Sequence, residues 1–166
     1  TVELPAALEV RVEDSSGDLS VEGVKELRVD DSSGDQRIRD IGGNVKVADS
    51  SGEIDNKQIR GNVEVSDSSG DVVVADITGN VTIPVDSSGG LSFRRVQGTV
   101  HIETDSSGDI SIDEVNHDVR IDNDSSGDIR VSGVGGNLTV AHDSSGDIDH
   151  RNVLGNVRIP ASKRDD

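Results

Sequence analysis

Asp-Ser-Ser-Gly begins at Asp14, Asp31, Asp49, Asp67, Asp86, Asp105, Asp124 and Asp143. Carboxylates and hydroxyls spaced so regularly suggest three kinds of chemistry. Hard oxygen ligands arranged in a ladder can hold Ca²⁺ between successive repeats, and the candidate ligands are Asp86, Asp105, Asp124 and Asp143. The glycine pattern and the period differ from those of calcium-binding nonapeptide repeats, and no EF-hand loop occurs. Aspartates combined with calcium and an arginine can also cleave acidic polysaccharides, which singles out Arg94, between the Asp86 and Asp105 corners. Third, His142-Asp143-Ser144 sets the letters of a nucleophilic triad side by side. Such a relay is defined by spatial geometry, however, and Asp-Ser recurs at all eight corners without a partner histidine. His101, His117, His142 and His150 take different places in their repeats, and HExxH, GxSxG and phosphate-loop motifs are absent. The expectation is therefore no catalytic residue and no resident cofactor, with the acidic phrase serving as a turn written eight times.

The elements that position these residues follow from the repeat. Intervals between the aspartates are 17, 18 and 18, then 19 four times. Counted from each turn glycine, the second residue is Leu19, Gln36, Ile54, Val72, Leu91, Ile110, Ile129 or Ile148. The fourth is Val21, Ile38, Asn56, Val74, Phe93, Ile112, Val131 or His150. After a bend comes a third column running from Val24 to Val153, and then an alternating pair that begins as Leu27 with Val29 and ends as Val157 with Ile159. Only Gln36, Asn56 and His150 break the five apolar columns. Alternation with period two, Val and Ile in the apolar slots and glycine punctuation read as short strands, not helices.

A repeat of this length holding two or three short strands is one coil of an all-β, single-stranded parallel β-helix, or β-solenoid. Eight coils of 17–19 residues stacked at about 4.8 Å give a rod on the order of 40 Å long. Left-handed solenoids follow a strict hexapeptide rhythm, whereas these columns fall at unequal steps, so right-handed winding is expected. Composition fits a narrow interior: the chain of 166 residues has one Phe and no Trp, Tyr or Met. A net charge of −17 with low hydrophobicity would otherwise indicate disorder, but the columns override it. That charge also opposes nucleic-acid binding, for which Arg94-Arg95 is too small a patch. No apolar stretch suits membrane insertion, and the absence of cysteine rules out disulfides.

At each corner glycine supplies a positive φ, while Asp and Ser bond to nearby backbone. The opening aspartates and the acids after the glycines (Asp18, Asp35, Glu53, Asp71, Asp109, Asp128 and Asp147) line one edge. Charges about 4.8 Å apart repel by roughly 0.9 kcal/mol even in water, so turn N–H donors are expected to offset the repulsion. A second corner reads Gly-Asn at Gly43-Asn44, Gly61-Asn62, Gly79-Asn80, Gly136-Asn137 and Gly155-Asn156, where asparagine can take the left-handed conformation or stack as a ladder. Like positions one coil apart pair Glu22 with Arg39, Arg94 with Asp113 and Lys46 with Glu64.

The repeat implies a single domain over 1–166: an N-terminal cap at 1–13, coils over 14–159 and a charged tail at 160–166. Pro160 and the basic tail would discourage further strand addition, although solenoid ends remain sites of self-association. Beginning without Met, the sequence reads as a processed or excised chain.

The phrase "DSSGDIRVSGVGGNLTV" at 124–140 resembles the bacterial adhesin-like β-solenoid family, whose repeats carry Ser-Gly-Asp-(Ile/Val)-x-(Val/Ile), and the resemblance extends from Asp14 to Ile159. It implies a right-handed parallel β-helix in an exported or cell-envelope protein of largely unknown function, and it brings no catalytic residues. Periplasmic, cell-surface or secreted location follows from the resemblance, as does a protein or cell-surface partner. The first coil departs from the pattern at Val24-Lys25-Glu26-Leu27, one residue short and without Gly-Asn. The resulting expectation is a non-enzymatic spacer or adhesin-like module. Alternatives are an engineered or idealised repeat scaffold and a carbohydrate-active β-helix using calcium and aspartates.

Overall fold

The computed structural model describes residues 8–160. Within them lie the strands β1 (Glu9–Glu13), β2 (Leu19–Glu22), β3 (Glu26–Asp30), β4 (Gln36–Ile41), β5 (Val45–Ala48), β6 (Ile54–Ile59), β7 (Val63–Ser66), β8 (Val72–Ile77), β9 (Val81–Ile83), β10 (Leu91–Val96), β11 (Val100–Asp105), β12 (Ile110–Val115), β13 (Val119–Asp124), β14 (Ile129–Val134), β15 (Leu138–Asp143), β16 (Ile148–Val153) and β17 (Val157–Arg158). Odd-numbered strands form one parallel sheet of nine and even-numbered strands a second of eight, each in chain order. The chain thus passes from one sheet to the other and back once per coil, giving the expected β-solenoid of about eight turns.

Register is what the columns require. Val81 lies beside Val100 and Val100 beside Val119, while Leu91, Phe93 and Val96 lie beside Ile110, Ile112 and Val115. All five columns point inward, and every apolar member from Val24 to Val140 is buried. At ~1.5–3 kcal/mol for each fully buried Val, Leu, Ile or Phe, this file-on-file packing is the main favourable term in folding. Phe93, the one aromatic residue, is 1 % exposed between Val74 and Ile112.

Two of the three exceptions remain inside. Gln36 is fully buried, and its Nε2 donates to Asp31 Oδ2 at 3.4 Å. Asn56 is fully buried between Ile38 and Val74, and neither of its amide atoms finds a partner. His150, in the last full strand, is exposed.

The bend in each even-numbered strand has a specific backbone cause. Gly23, Asp40, Gln58, Asp76, Arg95, Glu114, Gly133 and Asn152 have φ between 53° and 73°, one residue per coil. This left-handed residue puts two neighbours in succession outward, as in β4 and β10, before the third column turns in again. Six of the eight carry a side chain, which costs ~1–2 kcal/mol each. The sequence suggested that the Gly-Asn corner would supply left-handed backbone. Asn44, Asn62, Asn80, Asn137 and Asn156 instead lack positive φ. The left-handed residue comes four positions earlier, because the strand must swing before the corner so that its last apolar residue faces in.

Asparagine does form a ladder. Asn62 and Asn80 backbone N–H groups donate at 2.9 Å to the Oδ1 of Asn44 and Asn62, and Thr99 N–H continues to Asn80 Oδ1 at 2.9 Å. The series resumes at Asp118, Asn137 and Asn156. Part of the expected N-terminal cap, Glu9–Glu13, is already a strand stacked on β3; residues 1–7 and the tail at 161–166 lie outside the described residues.

Replacing Asn56 with Val removes an unpartnered buried amide and should raise stability by about 2 kcal/mol in urea unfolding. Gly108 has φ +136°, and a Cβ there would sit 1.7 Å from the carbonyl oxygen of Gly89. Gly108→Ala should therefore cost on the order of 3 kcal/mol or more by the same measurement.

Candidate functional site

Each letter of Asp-Ser-Ser-Gly makes its own bond. The opening aspartate accepts backbone N–H groups on Oδ1: Asp31 takes Ser32 at 2.7 Å and Ser33 at 3.2 Å, and Asp14, Asp49 and Asp67 do likewise. The second serine reaches down one coil, so that Ser69 Oγ donates to Ser50 O at 3.0 Å and Ser107 Oγ to Ser87 O at 3.1 Å. Turn glycines lie one on another, and each donates its N–H to the second serine of the next coil, as in Gly89 N–H to Ser107 O at 3.1 Å. The acid after the glycine caps the next coil: Asp71 Oδ1 accepts Gly90 N–H at 2.8 Å, and Asp109 Oδ1 accepts Asp128 N–H at 3.0 Å. Turn donors thus meet the carboxylates as expected.

The opening aspartates are not a solvated edge, however. Asp31, Asp49, Asp67, Asp86, Asp105 and Asp124 are buried. Among the described residues, Oδ2 of Asp49, Asp67, Asp105 and Asp124 has no hydrogen-bond partner, nor has either oxygen of Asp86. Burial is the first cause that raises these carboxyls: Asp49 and Asp105 to about 6, Asp86 and Asp124 to about 7, and Asp67 in the same direction. Neighbouring members of the file push further, Asp105 and Asp67 acting on Asp86.

The file changes form at Asp86. Up to Asp67 one residue separates the fifth apolar column from the aspartate; from Pro84-Val85 onward there are two. In the later coils the aspartate joins the strand ladder, with Asp105 beside Asp124 and Asp124 beside Asp143. The first serine N–H then turns from its own carboxylate to the preceding coil's backbone, as in Ser125 N–H to Asp105 O at 3.1 Å. Asp86 stands at the junction, in an isolated bridge to Asp105.

Of the calcium candidates, Asp86, Asp105 and Asp124 face into the rod and Asp143 is half-buried. Among the described residues no three His, Cys, Asp or Glu side chains gather in a way that would hold a metal ion. Arg94 lies on the outer face of β10, apart from Asp86 and Asp105, which have no exposed surface. It borders a shallow cleft of about 510 Å³ with Arg130, Arg151, Asp113, Asp149 and His150. Arg130 is held by Asp128 at 2.6 Å and Asp109 at 3.1 Å.

Of the expected cross-coil pairs, all three are in register, and Lys46–Glu64 closes at 2.5 Å. Arg39 turns instead to Asp55 at 3.2 Å, and Asp113 accepts from the Ser132 hydroxyl. Sequence reasoning passed over Arg95, which grips Asp76 through Nε at 2.5 Å and Nη2 at 2.9 Å. It also separated histidines that converge on Asp122, whose carboxylate meets His101 Nε2 at 2.9 Å and whose carbonyl meets His142 Nδ1 at 3.3 Å. Against the raising effect of partial burial, His101 and Arg120 hold the Asp122 carboxyl below its ordinary range. The coil offset between these residues was readable; the side-chain reach was not.

The fold and its committed corner define a β-solenoid repeat module. Residues 5–83, a little under half of the chain, match the family described as Toastrack DUF4097, and this match together with the stacked coils fits a β-solenoid repeat family. No curated protein and no solved structure matches the chain.

A carboxyl whose folded pKa exceeds its unfolded value of about 3.9 binds its proton more tightly when folded. Its contribution to stability is complete below that unfolded value and disappears as pH rises through 6 to 7 for the four groups above. The melting temperature should therefore climb as pH falls from 8 toward 5. Asp86→Asn should melt about 3 °C higher at pH 8 and show a flatter pH profile, read by circular dichroism.

Proposed function

We propose that the chain is a non-catalytic β-solenoid module of an exported or cell-envelope bacterial protein, working as a rigid spacer or adhesin-like contact element. One observation carries this reading: the side chains best suited to chemistry are committed to holding coils together. The opening aspartates accept turn N–H groups or lie buried, the second serines bond to the coil below, and the following acids cap the coil above. A partner is left with long, repetitive outer faces and shallow clefts, surfaces suited to contact over length. The sequence resemblance to adhesin-like solenoids supports the location, and the Toastrack match supports a repeat module.

Fractionation of producing cells, with the rod detected by antibody, tests location: recovery in the periplasm, envelope or medium is expected, and recovery in the cytosol alone would overturn it. Removal of residues 106–124, one 19-residue period, rejoins Asp105 to Ser125 and preserves the corner. A spacer or contact module should keep its fold and its binding to bacterial cells after that excision, since each coil meets only its neighbours. Turnover of an acidic polysaccharide by the purified chain with calcium would defeat the non-catalytic reading.

A further inference from the structure

Along the even-numbered strands the third and fifth residues after each turn glycine face outward while the fourth faces the core, as Ser111 and Asp113 do around Ile112. Stacking turns these troughs into a groove with two rims, running parallel to the rod axis. In the early coils ion pairs bridge the groove: Asp55 on one rim takes Arg39 at 3.2 Å and Lys57 at 2.9 Å from the other. Over β10, β12, β14 and β16 no ion pair among the described residues crosses it, and it opens into the cleft of about 510 Å³.

One rim of the open stretch reads Arg94, Asp113, Ser132 and Arg151 in register, and the other Ser111, Arg130 and Asp149. Arg130 turns away from the groove to Asp109 and Asp128, on the corner side. Arg94 and Arg151 are exposed, and among the described residues neither forms an ion pair. They stand three coils apart in register, a span of about 14 Å at strand spacing. Between them Asp113 accepts the Ser132 hydroxyl, and Asp149 is exposed on the facing rim.

We propose that this groove binds a short acidic oligosaccharide lengthwise, with sugar carboxylates on Arg94 and Arg151 and ring hydroxyls on Asp113 and Asp149. A guanidinium grips a carboxylate through two parallel N–H donors, and a carboxylate accepts from hydroxyls. Alternating cations and acceptors therefore suit a ligand that carries both groups, and a sugar unit advances about as far as one coil. An acidic peptide would set its carboxylates against Asp113 and Asp149 without hydroxyls to donate to them. Strands β10, β12 and β14, paired on both sides, also offer it no free edge. Phe93, the one aromatic residue, is buried, so no ring stacks on the sugar and recognition falls to charge and hydrogen bonds. The net charge of −17 repels a long polyanion, which favours a short ligand held by close contacts. The site is confined to four coils and goes beyond the spacer or contact reading, so either can fail without the other.

Titration of the purified chain with tetragalacturonate in the absence of calcium, followed by backbone amide chemical shifts, tests this. Shifts confined to β10, β12, β14 and β16 are expected, with neutral maltotetraose and a tetraglutamate peptide each binding at least tenfold more weakly. Arg94→Ala and Arg151→Ala should each weaken binding about tenfold, whereas Arg37→Ala, on the bridged stretch of the groove, should leave it unchanged. Excision of 106–124 brings Arg94 beside Ser132, shortens the span between the two arginines to two coils and should weaken binding likewise; a retained cooperative melt for every variant keeps folding out of the comparison. No shifts at millimolar ligand, shifts centred on other strands, equal binding of the neutral sugar or the peptide, or affinity indifferent to both arginine substitutions would overturn the proposal.

Discussion

Stacking at strand spacing forces each residue to lie against its own counterpart, about 4.8 Å above and below. Any property placed in a column is therefore multiplied along the rod. Aliphatic side chains gain from that arrangement, because like shapes at equal depth fill the narrow space between two sheets without voids. Carboxylates lose by it unless donors intervene, which is why Asp18, Asp35, Asp71, Asp109 and Asp128, the acids after five of the turn glycines, each take a backbone N–H from the neighbouring coil, and opening acids such as Asp31 and Asp49 turn Oδ1 to their own turn. The corner phrase recurs because every letter in it answers this one demand.

The inward apolar columns were legible because burial and alternation share a period of two. From Leu27, Val29 and Val45, Val47 through Leu138 and Val140 every apolar member is buried as read, and only the last coil, with Val157 and Ile159, opens to solvent. Burial of the acid file was less visible, although a clue existed: Leu27, Val29 and Asp31 continue one alternation, which already points Asp31 inward. Beyond Pro84 the extra residue interrupts that count, and only the observed pairing of Asp105 with Asp124 shows that the carboxylates remain inside. Gln36 looked like a flaw in its column and proves to be the donor that reaches Asp31. The left-handed residues were only partly marked: Gly23, Asp40, Asp76, Gly133 and Asn152 are types that tolerate this conformation, whereas Gln58, Arg95 and Glu114 are not, and there only the backbone shows the bend.

The junction near Asp86 shows how a solenoid changes its period without a break in stacking. One residue is gained on the chain between the fifth column and the corner, and both sheets keep their register across it. The adjustment is absorbed just after β9, a strand of three residues, where Pro84 follows. Its local cost is a buried carboxylate whose Ser87 and Ser88 N–H groups do not close well-formed hydrogen bonds on it.

Each left-handed bend takes two successive positions out of the interior files, and five levels of that face display both side chains, Arg39-Asp40, Lys57-Gln58, Arg94-Arg95, Asp113-Glu114 and Arg151-Asn152, whereas Gly23 and Gly133 carry no side chain and Ala75 is buried. None of these pairs belongs to the interior files, so their chemistry can drift while the scaffold stays intact. Read from end to end they form a linear script of charge, and a related chain could acquire a new correspondent by rewriting a few of its characters without refolding.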